Sequence, residues 1–167
     1  PKTSMAWFQR GNVMFRDRKF QEAEQNFLKA DPYVLTKLQW SEFHFKLGYA
    51  QFMNGKNESA LVSFAKTKDI ESPYRGPAYY YAGHIHYASQ QWESALGMFE
   101  QIQDQKAFSK VVPLYIAQIY YRQQRYEELI GYVKPLADTL KGATALAVFR
   151  MMAESEFKMG HYAAALK

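Results

Sequence analysis

Cysteine is absent from the 167-residue chain, which excludes disulfides, thiolate chemistry and cysteine-based zinc sites. No apolar run approaches the ~20 residues of a membrane-spanning helix. Runs of Lys or Arg never exceed two residues, so there is no basic tail of the kind that binds nucleic acid. A phosphate-cradling glycine loop is missing too. The stretch GPAYYYAG crosses a helix start, with no strand before it. Proline is scarce, and most of the six prolines fall where helices begin or end.

Aromatic residues are plentiful. They make up 17% of the chain, with 13 tyrosines, and apolar residues as a whole make up 48%. That is enough for a packed core, with tyrosine suited to wet and dry surfaces alike. The formal charge of +5 permits an acidic partner without requiring one.

The stretch from Gly76 to Ile102 organises the rest. It holds two helical patterns back to back, about Pro77 to Ser89 and Trp92 to Ile102. Gly83 is followed twelve residues later by Ala95 and sixteen later by Phe99. Small residues at the first two slots let two antiparallel helices approach, and the ring fills the space beyond. The same frame recurs as Gly11, Ala23 and Phe27, as Gly48, Ala60 and Phe64, and as Ala117, Leu129 and Val133. Ala153 and Ala165 begin a fifth copy. First slots are spaced 37, 35, 34 and 36 residues apart. Nine residues after the first slot stands an anchor for the second helix: Phe20, Trp92, Tyr126 and Tyr162, with Asn57 the exception.

These motifs resemble the tetratricopeptide repeat (TPR), a helix–turn–helix unit of about 34 residues. The matching pieces are Trp7, Gly11 and KFQEAEQNF; LGYAQF and ESALVSF; AYYYAGHIHY and WESALGMF; IAQIYY and YEELIGYV; and GHYAAAL. The resemblance implies an all-α fold, a right-handed superhelical solenoid of antiparallel helix pairs with about four and a half repeats. The repeats fall near 4–38, 41–72, 76–107, 110–141 and 146–167, in a single array over 1–167. Pro1 opens without Met and Lys167 lies inside the second helix of the fifth pair, so we expect a piece of a longer array. The aromatic-rich third and fourth copies also resemble repeats in exported multi-repeat proteins of Gram-negative envelopes. That implies a periplasmic or outer-membrane-associated location.

Along the chain, Ser4 is expected to cap a helix running to about Arg16. Asp17-Arg18-Lys19 turns it into a partner helix from Phe20 to Ala30, stopped by Asp31-Pro32. One extra helical turn is expected in the linker that follows. Trp40 to Met53 is the next first helix, ended by Asn54-Gly55. Asn57 is expected to cap Glu58 to Lys66 or Lys68. Pro77 and Pro113 sit in first turns, and Pro135 should kink or end the second helix of the fourth pair. The last long helix is expected over Ala143 to Met159.

Metal and catalytic chemistry find little support. His84 and His86 are two apart on a helix and point to opposite sides, whereas ligand pairs use spacings of three or four. His44 and His161 have no carboxylate companions at ligand spacing. Glu22, Glu24, Glu127, Glu128, Glu154 and Glu156 read as solvated faces of amphipathic helices. No cofactor, metal or small-molecule substrate is expected, and the chain is not read as an enzyme.

In the tetratricopeptide family the first helix of each pair lines the concave face, so the resemblance implies which rings face inward. The expected partner-binding groove is Phe45, Tyr49 and Phe52; Tyr80, His84 and Tyr87; and Leu114, Gln118 and Tyr121. Phe8, Asn12 and Phe15 precede this set, and Arg150, Glu154 and Phe157 follow it. Arg16, Lys46, Arg122 and Lys158 flank the stripe as a mildly basic rim. Such rings suit a peptide or a partner helix, though some of them are also needed to pack helix against helix. The chaperone-tail-binding subset of the family needs a set of Lys and Asn that this chain matches only at Asn12, and that role is rejected. The expected function is therefore a non-enzymatic protein–protein interaction scaffold. The rival is a structural spacer or assembly element of an envelope complex that uses outer or end surfaces. RNA binding by stacked rings ranks third.

Overall fold

The computed structural model describes residues 2–160. All regular structure among them is helical: α1 (Lys2–Arg16), α2 (Phe20–Phe27), α3 (Lys37–Met53), α4 (Asn57–Lys68), α5 (Arg75–Ala88), α6 (Trp92–Glu100), α7 (Val112–Arg122), α8 (Tyr126–Val133) and α9 (Gly142–Lys158), with 3-10 turns at Pro32–Val34 and Lys134–Leu136. Tyr162, Ala165 and the GHYAAAL motif beyond Gly160 lie outside the described residues, as does His161. The chain divides into two compact units, 1–91 and 92–167.

In the first unit α1 pairs with α2 and α3 with α4. Each hairpin packs on the next through α2 against α3, α4 against α5, α1 against α3 and α3 against α5. In the second unit α7 pairs with α8, α9 packs on both, and α6 packs on α7.

The repeat frame governs these pairings. Ala23, Ala60, Ala95 and Leu129 have 0% exposure, as do Phe27, Phe64, Phe99 and Val133 four residues on. A Cβ on Gly11 would lie 2.5 Å from two carbons of the Phe27 ring, and one on Gly48 would lie 2.9 Å from the Phe64 ring. A hydrogen atom is therefore the largest group these slots accept. In the fourth copy the first slot gains a methyl (Ala117), the second gains a branched side chain (Leu129) and the third loses its ring (Val133), so the trio keeps its combined bulk. Ala117, Leu129 and Val133 share one core cluster with Val148 of α9.

Each hairpin turns in the same way. Seven residues after the first slot stands a residue with positive φ: Arg18 at 59°, Gly55 at 76°, Gln90 at 58°, Gln124 at 59° and Gly160 at 78°. The next amide then bonds five residues back, as in Lys19 N to Met14 O at 2.9 Å and Arg125 N to Tyr120 O at 2.9 Å. This is the helix C-cap that satisfies the last carbonyls. Second helices accordingly start at Phe20, Asn57, Trp92 and Tyr126.

Several sequence expectations are corrected. Ser4 lies inside α1, and its Oγ accepts a bond from the Asp31 amide at 3.2 Å. Asn57 is the first residue of α4, and no side chain caps that helix. Helix α2 ends at Phe27, three residues before Ala30. Helix α3 begins at Lys37, because Thr36 and Gln39 form a reciprocal capping box. The extra turn before α3 is present at Pro32–Val34, and α8 ends at Val133, two residues before Pro135. Glu24 and Glu156 are buried, with 4% and 5% exposure. Glu24 holds Lys56 and Asn54 of the next hairpin, and Glu156 pairs with Lys134 at 3.6 Å. Phe8 is also a core ring, 6.3 Å from Phe27 and 6.2 Å from Phe43.

Candidate protein-binding site

In the first unit, α3 and α5 bring Phe45, Tyr49 and Phe52 together around Tyr81. Tyr81 lies 4.9 Å from Tyr49, 5.6 Å from Phe52 and 6.3 Å from Phe45, and it stacks on Phe64 at 6.1 Å. Burial, then the neighbouring Tyr49, pushes the Tyr81 phenol up to about 12. Tyr49 also meets Phe15 and Phe20 edge-on at 5.5 and 5.6 Å. Phe45 reaches Phe64 and Tyr74 at 6.0 and 5.6 Å. Tyr80 touches Tyr81 at 5.3 Å, and His84 stands perpendicular to Phe52 at 5.9 Å. Tyr80, His84 and Tyr87 are all half-buried. The rings therefore hold one another in fixed orientations.

The polar groups of this region are engaged locally. Lys46 Nζ donates to Asn12 Oδ1 at 3.0 Å and pairs with Glu42 one helical turn back. Its charge also lies over the Phe15 ring. Arg16 pairs with Asp17 at 3.3 Å. The His86 Nδ1 shares a hydrogen bond with Gln91 Oε1, away from His84. Among the described residues no three His, Cys, Asp or Glu side chains converge to hold a metal ion.

The second unit contains a cleft of about 510 Å³, lined by Gln118, Tyr121 and Arg122 of α7, Gln124 and Tyr126 of the turn and α8, and Met151 and Lys158 of α9. Two expected groove residues, Gln118 and Tyr121, line this cleft. The third, Leu114, packs against the core cluster of Ala117 and Val148. The Tyr121 hydroxyl donates to Glu154 at 2.8 Å, and Arg150 also bonds Glu154 at 3.1 Å. Those two bonds, Tyr121 first, hold the Glu154 carboxyl below its ordinary range. Lys158 Nζ sits over the rings of Tyr121 and Tyr126 at 4.8 and 5.3 Å, 3.3 Å from the Tyr126 hydroxyl. Bonds to the two tyrosines push its pKa up. The Arg122 guanidinium lies 5.7 Å over the Trp92 ring.

Sequence reasoning did not single out Tyr81, Tyr74 or Met151. Tyr81 follows Tyr80, so the two rings leave the helix about 100° apart. Only the position of α3 decides which of them is enclosed. Tyr126 was recognised only as a helix anchor.

No family model matches the chain, and no curated protein matches it in sequence. Solved structures do resemble it. MamA AMB-1 in a P212121 crystal is 15% identical with a TM-score of 0.74, over 98% of this chain and 86% of that one. MamA MSR-1 is 16% identical with a TM-score of 0.67, over 98% and 90%. A putative kinesin light chain of Podosopora anserina with nearly identical TPR-like repeats is 16% identical with a TM-score of 0.61, over 97% and 89%. The fold is a TPR-like helical repeat. At such identities the likeness concerns the fold alone.

Proposed function

We propose that the chain is a non-enzymatic protein-binding scaffold that receives an extended peptide or a partner helix on the ring-bearing face of its first helices. The observation that carries this reading is the open cleft at Tyr121, where amphipathic rings, two amides and two cations line one space. The ring layer at Tyr49 and Phe52 supports it as well, because rings locked by their neighbours lose little freedom when a ligand arrives. The TPR-like fold supports a protein partner in general. An envelope location rests on the sequence resemblance of the third and fourth copies alone.

Short synthetic peptides arrayed on a surface test the reading. Wild type should retain a subset that the folded Tyr80→Ala/Tyr87→Ala and Tyr121→Ala variants lose. Equal retention by these variants would remove the groove from consideration.

A second reading has its own support. Leu28, Tyr33 and Leu38, between and beside α2 and α3, are 62%, 88% and 56% exposed, and apolar groups so placed suit an assembly contact. Cross-links that map a partner to this stretch and spare Tyr80 and Tyr121 would favour the spacer role.

A further inference from the structure

We infer that the cleft beside Tyr121 selects an acidic peptide segment, with Arg122 and Lys158 receiving its carboxylates. The inference deepens the proposed function and rests on it.

The argument is one of charge that is ordered but not neutralised. Several cations near these faces have an acidic partner close by. Lys46 is answered by Glu42, Arg16 by Asp17, Arg125 by Glu93 and Glu128, and Arg150 by Glu154. Arg122 and Lys158 make no ion pair among the described residues. Each is held by aromatic rings instead: Arg122 by Trp92, and Lys158 by Tyr121 and Tyr126. A ring face fixes a cation without cancelling its charge or consuming all of its N–H donors. The Glu154 carboxylate, which feels the charge of Lys158 at a distance, is bonded directly by the Tyr121 hydroxyl and Arg150 rather than by Lys158.

The cleft thus presents two pre-positioned cations of different shape. One is a planar guanidinium suited to bidentate carboxylate contact and the other a compact ammonium. Among the described residues no acidic side chain lines the space. Its volume falls in the ~300–1,000 Å³ range of ligand pockets. Residues 92–160 carry as many acidic as basic side chains, so the positive character belongs to this cleft and is not a property of the whole unit. That favours a short acidic segment over a polyanion, which needs an extended basic track.

Fluorescence anisotropy with the full 167-residue chain tests the inference. The labelled probes are octapeptides alternating Gly with Glu, Gln or Lys, and octauridylate. The Glu probe should bind about tenfold more tightly than the Gln probe, as expected for two charge-assisted contacts. Arg122→Gln/Lys158→Gln should remove that difference. Lys158→Arg should retain most of it. If the double variant melts early, Lys158→Gln alone, matched to wild type in melting temperature, carries the comparison. The inference is overturned if the Glu probe does not bind, if the folded variants bind it as wild type does, or if octauridylate outcompetes it. It is overturned differently if Glu and Gln probes bind alike and Tyr121→Ala abolishes both. The acid preference then falls, while the groove reading stands.

Discussion

Lys56 Nζ lies 2.9 and 3.0 Å from the two carboxylate oxygens of Glu24, whose side chain is only 5% exposed. Asn54 Nδ2 adds a third bond at 2.8 Å. A residue of α2 is thereby tied to the turn that joins α3 to α4, and the first hairpin is registered on the second. Lys56→Met should destabilise the chain by ~1–3 kcal/mol, because a buried carboxylate would keep only Asn54 as a partner. At the equivalent positions of the next three copies stand Leu61, Leu96 and Ile130. Glu24→Leu combined with Lys56→Met should therefore recover most of the loss in urea melts. A double variant as unstable as the sum of its parts would show that the pair is not replaceable by apolar packing.

The Gly11–Phe27 contact offers a second measurement. Gly11→Ala gains about 1 kcal/mol of helix propensity but places a methyl 2.5 Å from the ring. Overpacking costs typically ~1–3 kcal/mol, so a net loss is expected. Phe27→Val, which copies the Ala117–Val133 pairing, should relieve the overlap. We expect Gly11→Ala to be stabilising in the Phe27→Val background and destabilising in the wild type. Identical effects in both backgrounds would show that α1 shifts to make room.

The shared turn conformation predicts opposite signs at two equivalent positions. Arg18 holds φ at 59° where Gly55 holds 76°. A side chain in this region costs roughly 1–2 kcal/mol in the backbone. Arg18→Gly should raise stability by up to ~1 kcal/mol, and Gly55→Ala should lower it by a similar amount, read as midpoint shifts in chemical denaturation. Destabilisation by Arg18→Gly would mean that the arginine side chain supplies something the backbone does not.

His44 should make folding sensitive to mild acid. Its ring is 3% exposed, neither nitrogen has a hydrogen-bond partner among the described residues, and it packs 4.1 Å from Trp40. Burial first, and the charge of Lys66 second, lower its pKa from 6.5 to about 4. Above pH 6.5 the ring is neutral in both folded and unfolded chains, so it contributes no pH dependence. As pH falls from 6.5 to about 4 the unfolded chain takes up a proton that the folded chain refuses, and stability declines. The loss from this group is at most ~3 kcal/mol and levels off below pH 4. Comparing urea melts at pH 7 and pH 5 for wild type and His44→Leu isolates it. A slope that survives the substitution would assign the acid sensitivity to carboxylates instead.

Much of the fold was legible because the repeat is written in local chemistry. Small residues at Gly11, Gly48 and Ala117 mark where helices touch, and the offset of nine residues to Phe20, Trp92 and Tyr126 marks where second helices start. The capping box at Thr36 and Gln39 carried a readable signal three residues ahead of the expected helix start. The burial of Glu24 carried none, because it depends on Lys56 and Asn54, more than 29 residues away in sequence. The ring stripe was visible as a periodicity, yet the periodicity could not rank Tyr80 against Tyr81. Either ring could have been the one enclosed by α3.

From the residue order alone came the helix pairs, their boundaries to within a few positions and the aromatic character of the first helices, because spacing, small-residue slots and turn chemistry act over one or two helical turns. Which rings are enclosed and which line the cleft was decided only when α3 met α5 and α7 met α9. The same is true of whether each cation meets a carboxylate or a ring. Those outcomes depend on what lies opposite a side chain across a helix interface, and that neighbour comes from the adjoining hairpin, typically some 30 positions away in the chain.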